Sequence, residues 1–508
     1  MTSQNKYRNT DSTIKAGDLI LTEQPFAFVL SSKEQGSRCD NCLQKLKVLK
    51  CSGCQYVHYC GRLCQREAWG EHKWECANFK RVAPKVVPDA ARMLAKIINR
   101  LTRGDGHSYR ALYSATSFRM WKDLMSHYSD LKADMKRMEH FTSLCGVLYE
   151  FLKDISLPNT VELMGLYGRM VINSFMILDT DMNSIGTGIY LACSIMDHSC
   201  VPNAVATFDG KTINVRALVD MPYLDWNQIR ISYIDLMKTP YQRQTDLLHS
   251  YYFTCQCHRC LDETQQKYLH AAKCLNTECE APIQIKWKNN VQLVKKIEQS
   301  KEKTDEVDGL DAIDKRQTEE IEAVKTFGHN LYSTSDPPRL RTVPFDGVRC
   351  EECGTKFTEA HIDTFVKTME FTEAHLSNME GASVAYVDVC KYCLERHEGV
   401  LHPLNVLHAQ TLDHAFDALI QVQHWDKACE YAEKLISCFR FYYGDRNPLL
   451  GLLHLKYGKI LLYKMDLGKA LAHLKLSEKI LKITHGDKHP LYRDNLMPLL
   501  QQAIMEAS

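Results

Sequence analysis

Between residues 39 and 76 seven cysteines and one histidine fall in four short pairs: Cys39-x2-Cys42, Cys51-x2-Cys54, Cys60-x3-Cys64 and His72-x3-Cys76. So short a span cannot enclose an adequate hydrophobic core of its own. Paired ligands at such intervals match four-coordinate structural zinc, and two ions would use all eight side chains. Each such ion contributes about 10–16 kcal/mol to folding. The segment is therefore expected to be a two-zinc finger. The chain holds 21 cysteines and neither a charged-then-apolar leader nor an apolar run long enough to span a bilayer. A reducing compartment, cytoplasm and nucleus, is the expectation, and there zinc is a better use of thiols than disulfides.

A second group is Cys255-x-Cys257-x2-Cys260, three thiols for a four-coordinate ion. Cys200, at the end of Ser194-Ile195-Met196-Asp197-His198-Ser199-Cys200, is the natural fourth ligand. The alternative is that Cys200 is a small buried hydrophobe. A shared zinc would staple the segment after His198 to the segment after Phe253. Between them lies Ile231-Ser232-Tyr233, a short strand ending in tyrosine. A third group, Cys274-x4-Cys279 with Cys350-x2-Cys353-Gly354, reads as two zinc knuckles, with Cys390-x2-Cys393 as a competing partner pair.

The run Asp197-His198-Ser199-Cys200, the strand ending at Tyr233 and the cysteine triad resemble, in this order, the catalytic half of SET-domain protein methyltransferases. Residues 39–76 resemble a MYND finger. The order of parts is similar to that of the SET and MYND domain-containing family over nearly the whole chain. The resemblance implies an α+β multidomain fold: a split, β-rich SET core with an inserted MYND finger and helical insert, a post-SET zinc site, and a TPR-like all-α C-terminal domain. It implies a cross-braced finger, with Cys39, Cys42, Cys60 and Cys64 on one ion and Cys51, Cys54, His72 and Cys76 on the other. It further implies S-adenosylmethionine as cofactor, held by Asn173, Ser194, Met196, Asp197, His198, Tyr251 and Phe253, with Tyr233 catalytic at the mouth of a lysine channel. Asn173 precedes Asp197 by the family's interval. The implied activity is protein-lysine N-methylation; the alternative is an adaptor that recruits protein partners through the finger and the C-terminal helices.

Three stretches depart from the family pattern. Asp197 stands where the family has asparagine, and a carboxylate only accepts hydrogen bonds where an amide also donates. Asp225-Trp226-Asn227-Gln228 replaces the family's Gly-Glu pair, and Lys6 to Asp11 contains no glycine.

The remaining expectations concern organisation. The parts are 1–38, the start of the SET core; 39–76, the finger; 77–165, a helical insert; 166–250, the catalytic SET part; 251–262, post-SET; 263–395, an insert with the third cysteine group; and 396–508, a helical array. In the helical insert, Met93-Leu94, Ile97-Ile98 and Leu101 form one apolar stripe, and Leu144, Val147-Leu148 and Phe151-Leu152 another. Residues 300–325 carry 9 acidic and 5 basic side chains and read as a solvated helix or linker. In the array, Trp425–Leu449 and Leu467–Leu491 repeat at an offset of 42, each a helix, a Gly-Asp turn and a proline opening the next helix. The chain has 63 basic and 62 acidic residues, which argues against charge-driven nucleic-acid binding by the whole. From Arg38 to Arg100 there are 13 Lys/Arg against 5 Asp/Glu. That basic face is solvated or meets a partner: a proline-containing peptide by resemblance, with DNA ranked last. A monomer acting on a protein lysine is expected.

Overall fold

The computed structural model describes residues 6–8, 12–153, 156–285, 347–379 and 386–507. The acidic stretch 300–325 lies outside the described residues, as do Asn9, Thr10 and Asp11. The chain divides into two compact units. One comprises Met1–Leu236, Asp246–Cys260 and Phe439–Ser508; the other comprises Met237–Thr245 and Leu261–Cys438. No helix among the described residues is long and apolar enough to cross a membrane.

The first unit is built on small antiparallel sheets. One holds four strands in the order Lys6–Tyr7, Leu19–Glu23, Thr212–Ala217, Ala204–Asp209. Another holds Ala27–Leu30, Ser184–Ile189 and Ser174–Leu178. Strands distant in sequence pair here, Val215 opposite Leu21 and Ala27 opposite Ile189, so the finger and the helical insert are excursions from one sheet core. The pairing follows the apolar face, where Leu21, Ile213 and Val215 are fully buried; Ile20, on the opposite face, is buried as well. Asp209-Gly210 opens the hairpin to Thr212 with Gly210 at φ +56, a backbone state that suits glycine. A Cβ there would also lie 2.6 Å from the Cys42 carbonyl of the finger.

The insert forms helices Asp89–Arg103, Met135–Phe151 and Thr160–Asn173. Asp134 and Asn159 start the second and third by accepting the backbone N–H of Arg137 and Glu162. The expected stripes are buried, Leu94, Ile97, Ile98 and Leu148 completely. Within this stretch a two-stranded hairpin, Ala111–Leu112 with Phe118–Arg119, departs from the expected continuous helical pattern. Helices Pro448–Tyr463 and Leu467–Thr484 pair closely, a Cβ on Gly458 meeting Leu474 at 2.8 Å. The chain after them docks on the strands Thr212–Ala217 and Ala204–Asp209: Arg216 Nε donates to the His485 carbonyl at 2.9 Å, and His489 Nε2 to the Phe208 carbonyl at 2.8 Å.

The second unit contains helices Glu359–Met379, Val387–His397 and Val406–Gln421 and the strand pair Ala271–Ala272 with Ile283–Gln284. Buried Asn405 ties it together, donating to the Ala271 carbonyl at 3.0 Å while its Oδ1 caps Leu407 N. The division between units falls within the helix Trp425–Tyr443, between Cys438 and Phe439.

Candidate active site and metal centres

The strand Ser184–Ile189 leads through fully buried Tyr190, Leu191 and Ala192 into a single 3-10 turn, Cys193–Ile195. A buried carboxylate holds that turn in place: Glu23 accepts from Ala192 N at 3.0 Å and Cys193 N at 2.8 Å. Burial pushes the Glu23 carboxyl up to about 7, although those donors pull it back. After the turn, Asp197–His198 runs parallel to Arg230–Ile231, with Asp197 opposite Arg230 and His198 opposite Ile231. This short parallel pair brings the sequence-distant Asp-His run and the tyrosine strand together.

Tyr233 donates its backbone N–H to His198 Nδ1 at 3.1 Å and its hydroxyl to the Met196 carbonyl. With Nδ1 accepting, His198 carries its proton on Nε2, which faces Cys200 Sγ at 3.3 Å. Tyr251 lies 4.9 Å from Tyr233 between ring centroids, and His198 lies 5.4 Å from Tyr233 and 6.1 Å from Phe253. Burial pushes the phenols of Tyr233 and Tyr251 up, so both stay protonated at neutral pH. Asn173 ends its helix and donates both amide hydrogens, to the Met125 carbonyl at 2.9 Å and the Arg169 carbonyl at 2.8 Å. Its Oδ1 is left as the acceptor. Ser194 Oγ donates to the Leu191 carbonyl at 2.7 Å, and Met196 is buried.

Asp197 is open to solvent, 76% exposed, with Oδ2 at 3.7 Å from Arg230 Nη2. Burial pulls the Arg119 guanidinium, on the insert hairpin, down, opposed first by Asp123 and Tyr113 and then by Tyr233 and Asp197. Sequence reasoning passed over Glu23, Arg119 and Arg230. Arg230 had a usable signal, a cation just ahead of the tyrosine strand in a site with an unexpected carboxylate; Glu23 and Arg119 had none. Asp225 to Gln228 forms a turn, Gln228 N bonding the Asp225 carbonyl at 2.9 Å, with Trp226 buried.

Among the described residues no two cysteines are joined by a disulfide, and sixteen metal-ligand side chains gather in four groups, each within 4.8 Å. The finger supplies Cys39, Cys42, Cys60 and Cys64, and separately Cys51, Cys54, His72 and Cys76. Sulfur separations such as Cys42–Cys60 at 3.8 Å and Cys51–Cys76 at 3.9 Å fit the edge of a tetrahedron, about 3.8 Å for Zn–S bonds of about 2.3 Å. Cys200, Cys255, Cys257 and Cys260 form the third group, with Cys200 Sγ 3.6 Å from Cys260 Sγ. Cys274, Cys279, Cys350 and Cys353 form the fourth. Cys390 and Cys393 are buried in the helix Val387–His397 and belong to none of these groups.

Behind the second finger group, His72 Nδ1 faces Glu75 Oε2 at 3.5 Å. Glu75 is bound by Arg92, at 2.8 and 3.2 Å, and Arg92 also holds Asp40 at 2.9 Å. All four residues are buried.

The family model of the MYND finger matches residues 39–76. Over the whole chain, the human protein named histone-lysine N-methyltransferase SMYD3 is 25% identical, covering 96% of this chain and 92% of its own length. Zebrafish (Danio rerio) N-lysine methyltransferase SMYD2-A is 23% identical over 96% of this chain and 93% of its own. Arabidopsis thaliana histone-lysine N-methyltransferase ASHR1 is 24% identical over 98% and 93%. Over nearly its whole length the chain is thus similar to SMYD-named lysine methyltransferases, and at residues 39–76 it carries a MYND finger. The sheet core lets the finger leave and rejoin it, and the third cysteine group stands beside Tyr233.

Proposed function

We propose that this protein is an S-adenosylmethionine-dependent protein-lysine N-methyltransferase. The observation that carries the reading is the setting of Tyr233. Its hydroxyl is anchored on the Met196 carbonyl, its ring contacts those of Tyr251 and His198, and the Asp197 charge helps hold its phenol protonated. The relatives' names, histone-lysine and N-lysine methyltransferases, support it.

The residues suit the donor. Asn173 Oδ1, its amide hydrogens already spent on two carbonyls, is an acceptor for the donor's ammonium group. Ser194, Met196, Asp197 and His198 would line the rest of the pocket, with Tyr251 and Phe253 as its aromatic walls. The donor supplies a methyl group on a sulfonium. The chain's share is alignment of the two reactants, which supplies about 7–11 kcal/mol of such a barrier. The aromatic walls disfavour a charged lysine ammonium, whose ordinary pKa is about 10.4, and attract a sulfonium through their faces. Tyr233, protonated and with its hydrogen committed to Met196, offers oxygen lone pairs to the incoming amine and methyl group.

We assign one zinc to each finger group and one to Cys200, Cys255, Cys257 and Cys260, the last bracing the segment that carries Tyr251 and Phe253. The substrate is a protein lysine, the finger takes a proline-containing peptide in preference to DNA, and the chain works as a monomer in cytoplasm and nucleus. Its domains run from the start of the SET core through finger, helical insert, catalytic SET part, post-SET segment and cysteine-bearing insert to the C-terminal helical array. The test is calorimetric titration of the zinc-loaded protein with S-adenosylmethionine. Micromolar affinity supports the methyltransferase reading. No detectable binding favours the adaptor, a reading to which the Asp197–Arg230 pairing lends weight because it already engages the departed position.

A further inference from the structure

We infer that Cys274, Cys279, Cys350 and Cys353 hold a further zinc ion, independent of the finger and of the staple beside Tyr233. The four sulfurs lie within 4.8 Å of one another. Cys274 Sγ is 3.5 Å from Cys353 Sγ and Cys279 Sγ is 3.7 Å from Cys350 Sγ, the separations also found within the finger and far from a disulfide's roughly 2 Å.

Each pair sits on a turn shaped to present thiolates. Cys350 N bonds the Thr355 carbonyl at 2.9 Å, and Gly354 N returns to the Cys350 carbonyl at 3.0 Å. Gly354 takes φ +75, which closes the knuckle where glycine is the suited residue. Cys353 N points at Cys350 Sγ at 3.4 Å, as Asn41 N points at Cys39 Sγ at 3.5 Å in the finger. A backbone donor aimed at sulfur stabilises the thiolate, the form that binds metal. The opposite turn is closed by Cys279 N on the Asn276 carbonyl at 3.0 Å, at the end of the strand pair Ala271–Ala272 with Ile283–Gln284.

The two knuckles are 71 residues apart along the chain, measured from Cys279 to Cys350. Cys274, Cys279 and Cys350 are buried together and Cys353 is exposed. Neither knuckle is long enough to bury a core, so metal bonds are what can hold them face to face. The ion thus ties together two points of the chain 71 residues apart. It fixes the hairpin Val348–Phe357, closed by Phe357 N on the Val348 carbonyl at 2.9 Å, against the strand pair. Four thiolates in tetrahedral array select zinc over calcium or magnesium.

The test is metal analysis of the full chain. Wild type is expected to hold four zincs, one for each ligand group, and the double variant Cys350→Ser/Cys353→Ser three. Three in both would overturn the inference, as would iron in place of zinc. Should the variant fold poorly, cadmium-113 NMR of the cadmium-loaded wild type decides alone. Three all-thiolate resonances and one of Cys3His type are expected from the four groups; two all-thiolate resonances refute the site.

Discussion

Arg92→Met tests how the finger is tied to the rest of its unit. Arg92 lies on the helix Asp89–Arg103, yet its guanidinium bonds Glu75 and Asp40, both inside the finger, at 2.8 to 3.2 Å. Burial alone would push the Glu75 carboxyl up, but the charges of Arg92 and Lys96 hold it well below the usual range. Methionine keeps most of the bulk and removes the charge, leaving two buried carboxylates with no guanidinium between them. Removing one partner of a buried ion pair costs about 3–5 kcal/mol. Glu75 in turn orients His72 through Nδ1, and loss of such outer support costs about 10–100-fold in metal affinity. The expected result is a fall of several degrees in the unfolding midpoint, with one zinc per chain passing to a competing chelator about 10–100-fold more readily. Adding Glu75→Gln should recover part of the lost stability, because the neutral amide no longer needs the cation. If Arg92→Met unfolds like wild type and keeps both finger zincs at the same chelator concentration, the coupling argument fails.

Tyr233→Phe removes the hydroxyl bonded to Met196 and should slow methyl transfer by about 10²–10³-fold while donor affinity and unfolding midpoint hold; transfer within about twofold of wild type would take Tyr233 out of the chemistry. Cys200→Ser should release one zinc and, by loosening the segment with Tyr251 and Phe253, abolish donor binding in calorimetry; intact binding with the zinc gone would separate the staple from the pocket. Asp197→Asn removes a solvent-exposed negative charge, so affinity for the cationic donor relative to its neutral thioether product should fall about fivefold, read by titration with both; an unchanged ratio would place Asp197 away from the sulfonium. Glu23 has its carboxyl raised from 4.5 to about 7, so between those values the folded protein keeps a proton that the unfolded chain has lost. Stability from this group therefore falls as pH rises from about 4.5 to 7, by about 3 kcal/mol in all. Glu23→Gln should flatten that slope in urea unfolding measured across the window, and an unaltered slope would assign the pH dependence elsewhere.

What the sequence held by itself is the chemistry that depends on short intervals. Zinc demands four ligands, and pairs two or three residues apart announce them, so the finger thiols, the Cys255–Cys260 triad and the knuckle at Cys350 could be read directly. The repeated proline after each Gly-Asp turn marked the C-terminal helices in the same way, because a missing N–H is tolerated at a helix start. Helical periodicity likewise marked the buried stripe from Met93 to Leu101. None of these depends on what lies opposite in space.

Partnership across the fold was decided only by tertiary structure. Spacing alone does not choose between Cys350–Cys353 and Cys390–Cys393 as mates for Cys274 and Cys279; the gathering of the first pair with them, and the burial of the second in a helix, does. The pairing of Asp197 with Arg230 follows from a two-residue parallel register that neither segment encodes alone. Glu23 looks like an ordinary strand-end carboxylate until the turn at Ala192 and Cys193 closes over it, 169 and 170 residues later. Desolvation and buried charge pairing depend on what surrounds a group in three dimensions, and a linear chain carries no local trace of that.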